Sequence, residues 1–111
     1  MADDYLEVST ATETRDQAVE LARSAVGERL AAGAQIIGPV ISAFWHDGQF
    51  GTGAEWKLLL TTAAERYPAL EAHLLENHPW GNPQVSATAI VAGSDGCLRW
   101  IRDSTTPHPG E

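Results

Sequence analysis

The strongest constraint in this sequence is a pair of long strand-forming runs on either side of an Asp-Gly dipeptide. Residues 35–47 are rich in β-branched and aromatic side chains, and Gly48 follows Asp47. Asp-Gly between two such runs is a strong signal for a tight β-hairpin. The return strand spans residues 54–60, and alternate positions along it share one apolar face: Ala54, Trp56, Leu58 and Leu60. We predict that this face is buried in the core.

The predicted hairpin is too long for one small domain to cover. Each arm can reach about 11–13 residues, twice the roughly 5–6 residues of a mean strand, although Gly38-Pro39 is expected to bulge or break the first arm. A long apolar edge strand attracts other chains unless something covers it. We therefore expect identical subunits to pair head to tail into a closed ring. The alternative is a monomer that bends the hairpin back over its own sheet.

The N-terminal third predicts a strand followed by a helix. Residues 6–10 alternate apolar and polar side chains, as a short strand does. Thr14 and Gln17 have the spacing of a capping box, and an apolar stripe follows at helical spacing. We predict a helix over about 15–32, with Gly33 as its left-handed C-cap.

The C-terminal half predicts a turn, two helices and one more strand. Residues 62–67 are expected to form the turn, and Pro68 to lie in the first turn of a helix that reaches Asn77. Residues 84–91 alternate as a strand, and Ser94 can cap a last short helix. The positions predicted to face the core are Val85, Ala87, Ala89 and Val91 on the strand, and Cys97, Leu98 and Ile101 on the helix.

The order of elements indicates the fold class. A β-α-β-β-α-β order with a terminal helix is typical of an α+β, ferredoxin-like split-βαβ sandwich, in which two helices cover one face of a four-stranded antiparallel sheet. Right-handed crossovers place the first and third strands in the centre. We expect one domain over residues 1–111, with about 5–103 ordered and 104–111 forming a tail.

Charge and composition argue against several classes of protein. Seven Lys and Arg against 15 Asp and Glu give a net charge of −8, which opposes binding to nucleic acid or to an anionic membrane. No apolar window approaches the ~20 residues of a membrane span, and the first residues lack the pattern of a signal peptide, so we predict a cytoplasmic protein. The single Cys97 suits a core position, and no P-loop, nucleophile elbow or HExxH motif predicts an enzyme.

Several segments, in order, resemble the CutA divalent-cation tolerance proteins. The segments are Arg29-Leu30-Ala31-Ala32-Gly33-Ala34, Ser42-Ala43-Phe44-Trp45-His46-Asp47-Gly48, Leu60-Thr61-Thr62, Tyr67-Pro68-Ala69-Leu70 and His78-Pro79-Trp80-Gly81-Asn82-Pro83. The resemblance spans about residues 6–103. It implies a ferredoxin-like fold, a tight homotrimer formed through the long hairpins, and a noncatalytic protein associated with divalent-cation tolerance, which binds metal or a small ligand between subunits.

The chain departs from the family pattern at positions that the resemblance places in the intersubunit cleft. Gly33 stands where the family usually has Cys, and His46 where it has Trp. Thr61 replaces Lys, Trp80 replaces Tyr and Gln84 replaces Glu. Loss of the thiolate at Gly33 argues against a Cu(I) site, because Cu(I) prefers soft sulfur ligands.

The resemblance implies His78 and Glu55 as metal ligands. An imidazole and a carboxylate suit Cu(II) or Zn(II), but two ligands make a weak site unless a subunit interface adds more. Two structural alternatives are a His78 that bonds the last carbonyls of its helix and a Glu55 in a salt bridge. A second class of function is a small ferredoxin-like enzyme with Glu55 or His78 as general base in an enclosed cleft. His73 and His108 are expected to be solvated surface residues.

Overall fold

A computed structural model describes residues 4–107 as a four-stranded antiparallel sheet with helices packed on it. The elements in chain order are β1 Tyr5–Thr12, α1 Arg15–Gly27, β2 Gly33–His46, β3 Gln49–Ala63, α2 Tyr67–Asn77, β4 Ser86–Ala89 and α3 Asp95–Thr105. The strand order β2-β3-β1-β4 confirms the predicted ferredoxin-like topology, with the first and third strands in the centre. No helix among the described residues is long and apolar enough to cross a membrane.

The core lies between one face of the sheet and helices α1 and α2. Val8 of β1 pairs with Leu60 of β3, and both side chains are fully buried together with Leu58. Helix α1 contributes Leu21 and Ala25 to the same cluster. Helix α2 adds Leu70 and Leu74. Burying a side chain of this size contributes about 1.5–3 kcal/mol, so this layer supplies much of the stability within one chain.

The hairpin is longer than its sequence predicted. Strands β2 and β3 contain 14 and 15 residues, and a two-residue loop joins them at Asp47 and Gly48, which have φ of 50° and 76°. Two positive φ values are those of the tight turn that Asp-Gly favours. Gly38 and Pro39 lie opposite the single Trp56 and shift the register, which confirms the predicted bulge.

Helix α1 ends earlier than predicted. Its capping box at Thr14 and Gln17 is confirmed, but the helix stops at Gly27, so the predicted end near residue 32 is wrong. Arg29, with φ of 61°, takes the left-handed position that we assigned to Gly33. The Arg29 and Leu30 N–H groups donate to the Val26 and Ala25 carbonyls, as in a Schellman motif. These turn bonds satisfy the last carbonyls of α1, and Gly33 is free to begin β2.

The faces predicted for β4 and α3 need correction. Strand β4 covers only Ser86–Ala89 and is exposed at every position, and Val91 beyond it is exposed as well. Cys97 is also exposed and is no core residue, although Ser94 caps α3 and Ile101 is fully buried as predicted. Helix α3 continues through Ser104 and Thr105, two residues that the sequence analysis placed in the tail. Residues 108–111, including His108, lie outside the described part of the chain.

Candidate functional site

Glu55 lies in a shallow pocket on the sheet face opposite helices α1 and α2. Its Oε1 accepts a hydrogen bond of 2.9 Å from the Ser42 hydroxyl across the β2–β3 pair. The register brings it to this face because Glu55 alternates with the buried side of β3. The pocket has a volume of about 190 Å³ and is lined by Ser9, Thr10, Ala11, Val40, Ser42, Glu55, Lys57 and Gln84. The pocket therefore holds one carboxylate, hydroxyl groups and an amide, together with the positive charge of Lys57.

His78 lies just after α2 and is 8% exposed. Its Nδ1 accepts a 3.0 Å hydrogen bond from the Trp80 N–H, and its Nε2 lies 2.8 Å from the Ala11 carbonyl oxygen. Since an N–H can only donate, Nδ1 is the unprotonated nitrogen and Nε2 carries the proton that it donates to Ala11. The indole of Trp80 packs on the ring, with centroids 5.1 Å apart. Both ring nitrogens are therefore engaged in holding the loop to β1.

The two predicted ligands both lie near Ala11, but they do not line the same pocket. Ala11 lines the pocket that contains Glu55, and its carbonyl accepts the His78 proton, but His78 does not line that pocket. Within residues 4–107, no group of three or more His, Cys, Asp and Glu side chains is placed to hold a metal ion. Among the described residues, one chain therefore offers a single carboxylate at this place, and any further ligand has to come from a rearranged His78 or from a second subunit.

The departures from the family pattern have identifiable surroundings. A β-carbon on Gly33 would lie 3.0 Å from the indole of Trp100, so glycine makes room for this ring of α3. His46 is exposed at the hairpin turn, where its Nε2 lies 3.3 Å from Asp47 Oδ2. Gln84 lines the Glu55 pocket. The missing thiol at position 33 is thus replaced by aromatic packing.

Sequence reasoning missed the environment of His73. Its side chain is only 12% exposed and lies between α1 and α2, where Nε2 shares a hydrogen bond with the Ser24 hydroxyl. Glu28 Oε2 lies 3.7 Å from Nδ1. The sequence does contain a signal for this cluster. Polar residues are four positions apart on each helix, Ser24 with Glu28 and His73 with Asn77, and this spacing puts each pair on one helix face.

The fold and the site together define a class: a ferredoxin-like α+β protein with an extended apolar hairpin and a small polar pocket at the base of that hairpin. Comparison with known families agrees with this class. The family model described as CutA1 divalent ion tolerance protein matches residues 6–104. The chain belongs to this family.

Individual relatives give the same result. A chloroplastic CutA 1 from rice, Oryza sativa subsp. japonica, is 35% identical over 85 residues, which are 77% of this chain and 48% of that protein. The divalent-cation tolerance protein CutA of Thermus thermophilus is 31% identical over 77% of this chain and 82% of its own length. The crystal structure of CutA1 from Oryza sativa superposes with a TM-score of 0.89 at 30% identity, covering 95% of this chain and 96% of the other. The chain spans about half the length of the plant relatives that it matches.

Proposed function

We propose that this protein is a noncatalytic, homotrimeric member of its family that contributes to divalent-cation tolerance in the cytoplasm. The observation that supports the trimer is the hairpin, whose outer half leaves large apolar side chains in water. Ile41, Trp45 and Phe50 are 78%, 75% and 65% exposed in the single chain. An apolar surface of this kind on an edge strand is expected to be covered by another subunit.

Sedimentation equilibrium of the untagged protein tests the assembly. We expect a mass of three times 11.9 kDa at micromolar concentration, because identical subunits can cover each other's exposed hairpins by closing into a ring of three. A mass of 11.9 kDa would contradict the proposal. It would favour the alternative in which the hairpin folds back over its own chain.

The metal part of the proposal assigns Cu(II) to Glu55 and His78, with the remaining ligands supplied across a subunit interface. Glu55 is accessible in its pocket, where it accepts a hydrogen bond from the neutral Ser42 hydroxyl. His78 is the harder ligand to use, since a metal must displace either the Trp80 N–H or the Ala11 carbonyl from its ring. Each displaced hydrogen bond costs about 0.5–1.5 kcal/mol, so we expect weak binding and no required cofactor.

Isothermal titration of chelator-free protein with Cu(II) tests this assignment. Saturable binding should be lost in His78→Ala and in Glu55→Gln, which keeps the shape of the side chain while removing its charge. The matched control is Glu76→Gln, an exposed carboxylate on α2. Equal binding by the wild type and both site variants would assign the copper to other groups and would contradict the proposal.

An enzymatic role for Glu55 or His78 gains no support from the pocket. A general base needs a lone pair directed at substrate, whereas both nitrogens of His78 are engaged within the chain. The Glu55 pocket, at about 190 Å³, is smaller than the roughly 300–1,000 Å³ of typical small-molecule sites.

A further inference from the structure

A second polar cluster lies between α1 and α2, outside the Glu55 pocket. Ser24 and Glu28 are one turn apart at the end of α1, and His73 of α2 lies between them. The Ser24 hydroxyl shares a hydrogen bond with Nε2 of His73, and Glu28 Oε2 lies 3.7 Å from Nδ1. A hydroxyl, an imidazole and a carboxylate are thus aligned in that order, across two helices.

The charge of Glu28 favours one of the two tautomers of this imidazole. A ring proton on Nδ1 would face the Glu28 carboxylate and would leave the Nε2 lone pair to accept the Ser24 proton. Asn77 Nδ2 also lies 3.5 Å from Nδ1, but its shorter bond, 2.8 Å, goes to the His73 carbonyl. Serine nucleophiles are activated by this polarity, in which a carboxylate orients a histidine and the histidine accepts the hydroxyl proton.

A pocket of about 300 Å³ opens next to Ser24. Its lining is Gln17, Glu20, Leu21, Ser24, Asn77 and Pro79. The Gln17 Oε1 accepts the Thr14 N–H at 3.1 Å, which leaves the Nε2 group of Gln17 to bond a carbonyl oxygen. Glu20 on the wall and the net charge of −8 disfavour anionic molecules. The space therefore suits a small neutral or cationic ester.

We propose that Ser24 is an activated nucleophile that accepts an acyl group from small, uncharged or cationic esters, with His73 as its general base. Ser24 Oγ attacks the ester carbonyl carbon while its proton moves to His73 Nε2. The carbon–oxygen bond to the leaving group then breaks, and His73 returns the proton to the departing oxygen. The products are an acylated Ser24 and a free alcohol or phenol, and no other reactant is needed.

The reaction is expected to be stoichiometric rather than catalytic. Strong acyl-transfer enzymes stabilise the oxyanion with fixed N–H donors, commonly from the backbone. The Ser24 N–H is inside α1, and the lining of this pocket offers the side-chain amides of Gln17 and Asn77 as N–H donors. The acyl group therefore stays on Ser24, and this site extends the proposed noncatalytic function without conflicting with it.

p-Nitrophenyl acetate provides the test, with release of p-nitrophenol followed by absorbance and the acetylated residue located by peptide mass spectrometry. We expect about one acetyl group per chain on Ser24. His73→Gln should slow labelling of Ser24 by about 10²-fold or more, the usual contribution of a positioned base. Glu28→Gln should slow it by a smaller factor. Ser94→Ala is the matched control, because Ser94 is an exposed helix-capping serine without a histidine partner.

Three results would overturn the proposal. Acetylation confined to Lys57 or to amino groups would show that Ser24 is not activated. Equal labelling of Ser24 in the wild type and His73→Gln, with both folded by circular dichroism, would remove the role of the base. Nitrogen-15 NMR of the wild-type imidazole reads the tautomer directly, and a proton on Nε2 of His73 would exclude the proposed polarity even if the variants failed to fold.

Discussion

The inner and outer halves of the β2–β3 hairpin are parts of the same two strands, but they differ in how far their apolar side chains are buried. In the inner half, Leu58 and Leu60 are fully buried under α1 and α2. In the outer half, beyond the bulge at Gly38 and Pro39, side chains such as Ile41 remain exposed although the backbone ladder continues to the turn. Backbone pairing alone therefore does not bury a strand. The inner half stabilises the subunit, and the outer half is available for assembly.

The largest effect should come from the inner half. Leu58→Ala removes a fully buried side chain, and the cavity left behind should lower the free energy of unfolding by about 2–5 kcal/mol. Thermal and urea unfolding at fixed protein concentration would measure this loss. The matched control, Leu75→Ala, truncates a leucine that is 47% exposed on α2 and should cost much less.

The same unfolding experiment separates packing from metal binding. Because the core rests on apolar burial, we expect EDTA to leave the melting temperature of the wild type unchanged. A metal that binds only the folded state would stabilise it by mass action, so a large drop with chelator would refute the view that metal is optional.

An intermediate effect is expected from the outer half. Ile41→Glu introduces a charge into the exposed apolar surface and should dissociate the proposed trimer at micromolar concentration, while each subunit keeps its helical circular-dichroism signal. Sedimentation velocity would detect the change in mass. The same substitution at Leu75, which lies on α2, serves as the control. An unchanged mass for Ile41→Glu would place the interface elsewhere.

The smallest effect is expected at the start of α2, where Tyr67 packs against the buried core. Burial raises the pKa of Tyr67 to about 12, with help from a 2.7 Å hydrogen bond to Glu71 Oε2 and from the charge of that carboxylate. Glu71→Gln should lower this pKa toward the ordinary value of 10.0, as measured by the absorbance of tyrosinate. Glu76→Gln, on the exposed side of the same helix, should not.

The raised pKa of Tyr67 also determines how the stability of the fold changes with pH. The folded state holds the Tyr67 proton more tightly than the unfolded state does, so this contribution is complete below pH 10 and is lost as the pH rises toward 12. Alkaline unfolding curves of the wild type and Glu71→Gln should therefore converge at high pH. A constant difference between them across this range would contradict the assignment.

The fold was largely predictable because its signals are local and repeated. The Asp47-Gly48 turn and the Thr14 capping box each depend on neighbours within a few residues, and both are confirmed. The end of α1 was not predictable by the same rule, since Arg29 holds a backbone conformation that glycine usually adopts. Its carbonyl accepts from Arg66 and its guanidinium donates to the Ser104 carbonyl, two contacts that only the folded chain brings together.

The candidate sites were less predictable, because an alternating pattern of apolar residues does not show which face of a strand another element will cover. Ala87 and Ala89 alternate as core residues do, yet they lie on an edge strand and are exposed. The ring of His78 is fixed by Ala11, a residue 67 positions away in the sequence. His73 and Ser24 are 49 positions apart. The family resemblance identified Glu55 and His78 as candidate ligands, but their hydrogen bonds depend on tertiary contacts.

The extra residue at the bulge also changes which positions of β2 face the Glu55 pocket. On the turn side of it, even-numbered positions of β2 such as Ser42 share the face of Glu55, whereas on the other side that face belongs to odd-numbered positions such as Ile37. Because β3 has no bulge, deleting Gly38 alone would leave Val40 opposite Glu55 and would keep both faces of the outer hairpin. Removing one residue from each strand, such as Ile41 together with its partner Ala54, would instead exchange the two faces beyond that pair, turning Trp45 toward the pocket side and Ser42 away from it. A one-residue change in the length of both arms can therefore redirect the assembly surface.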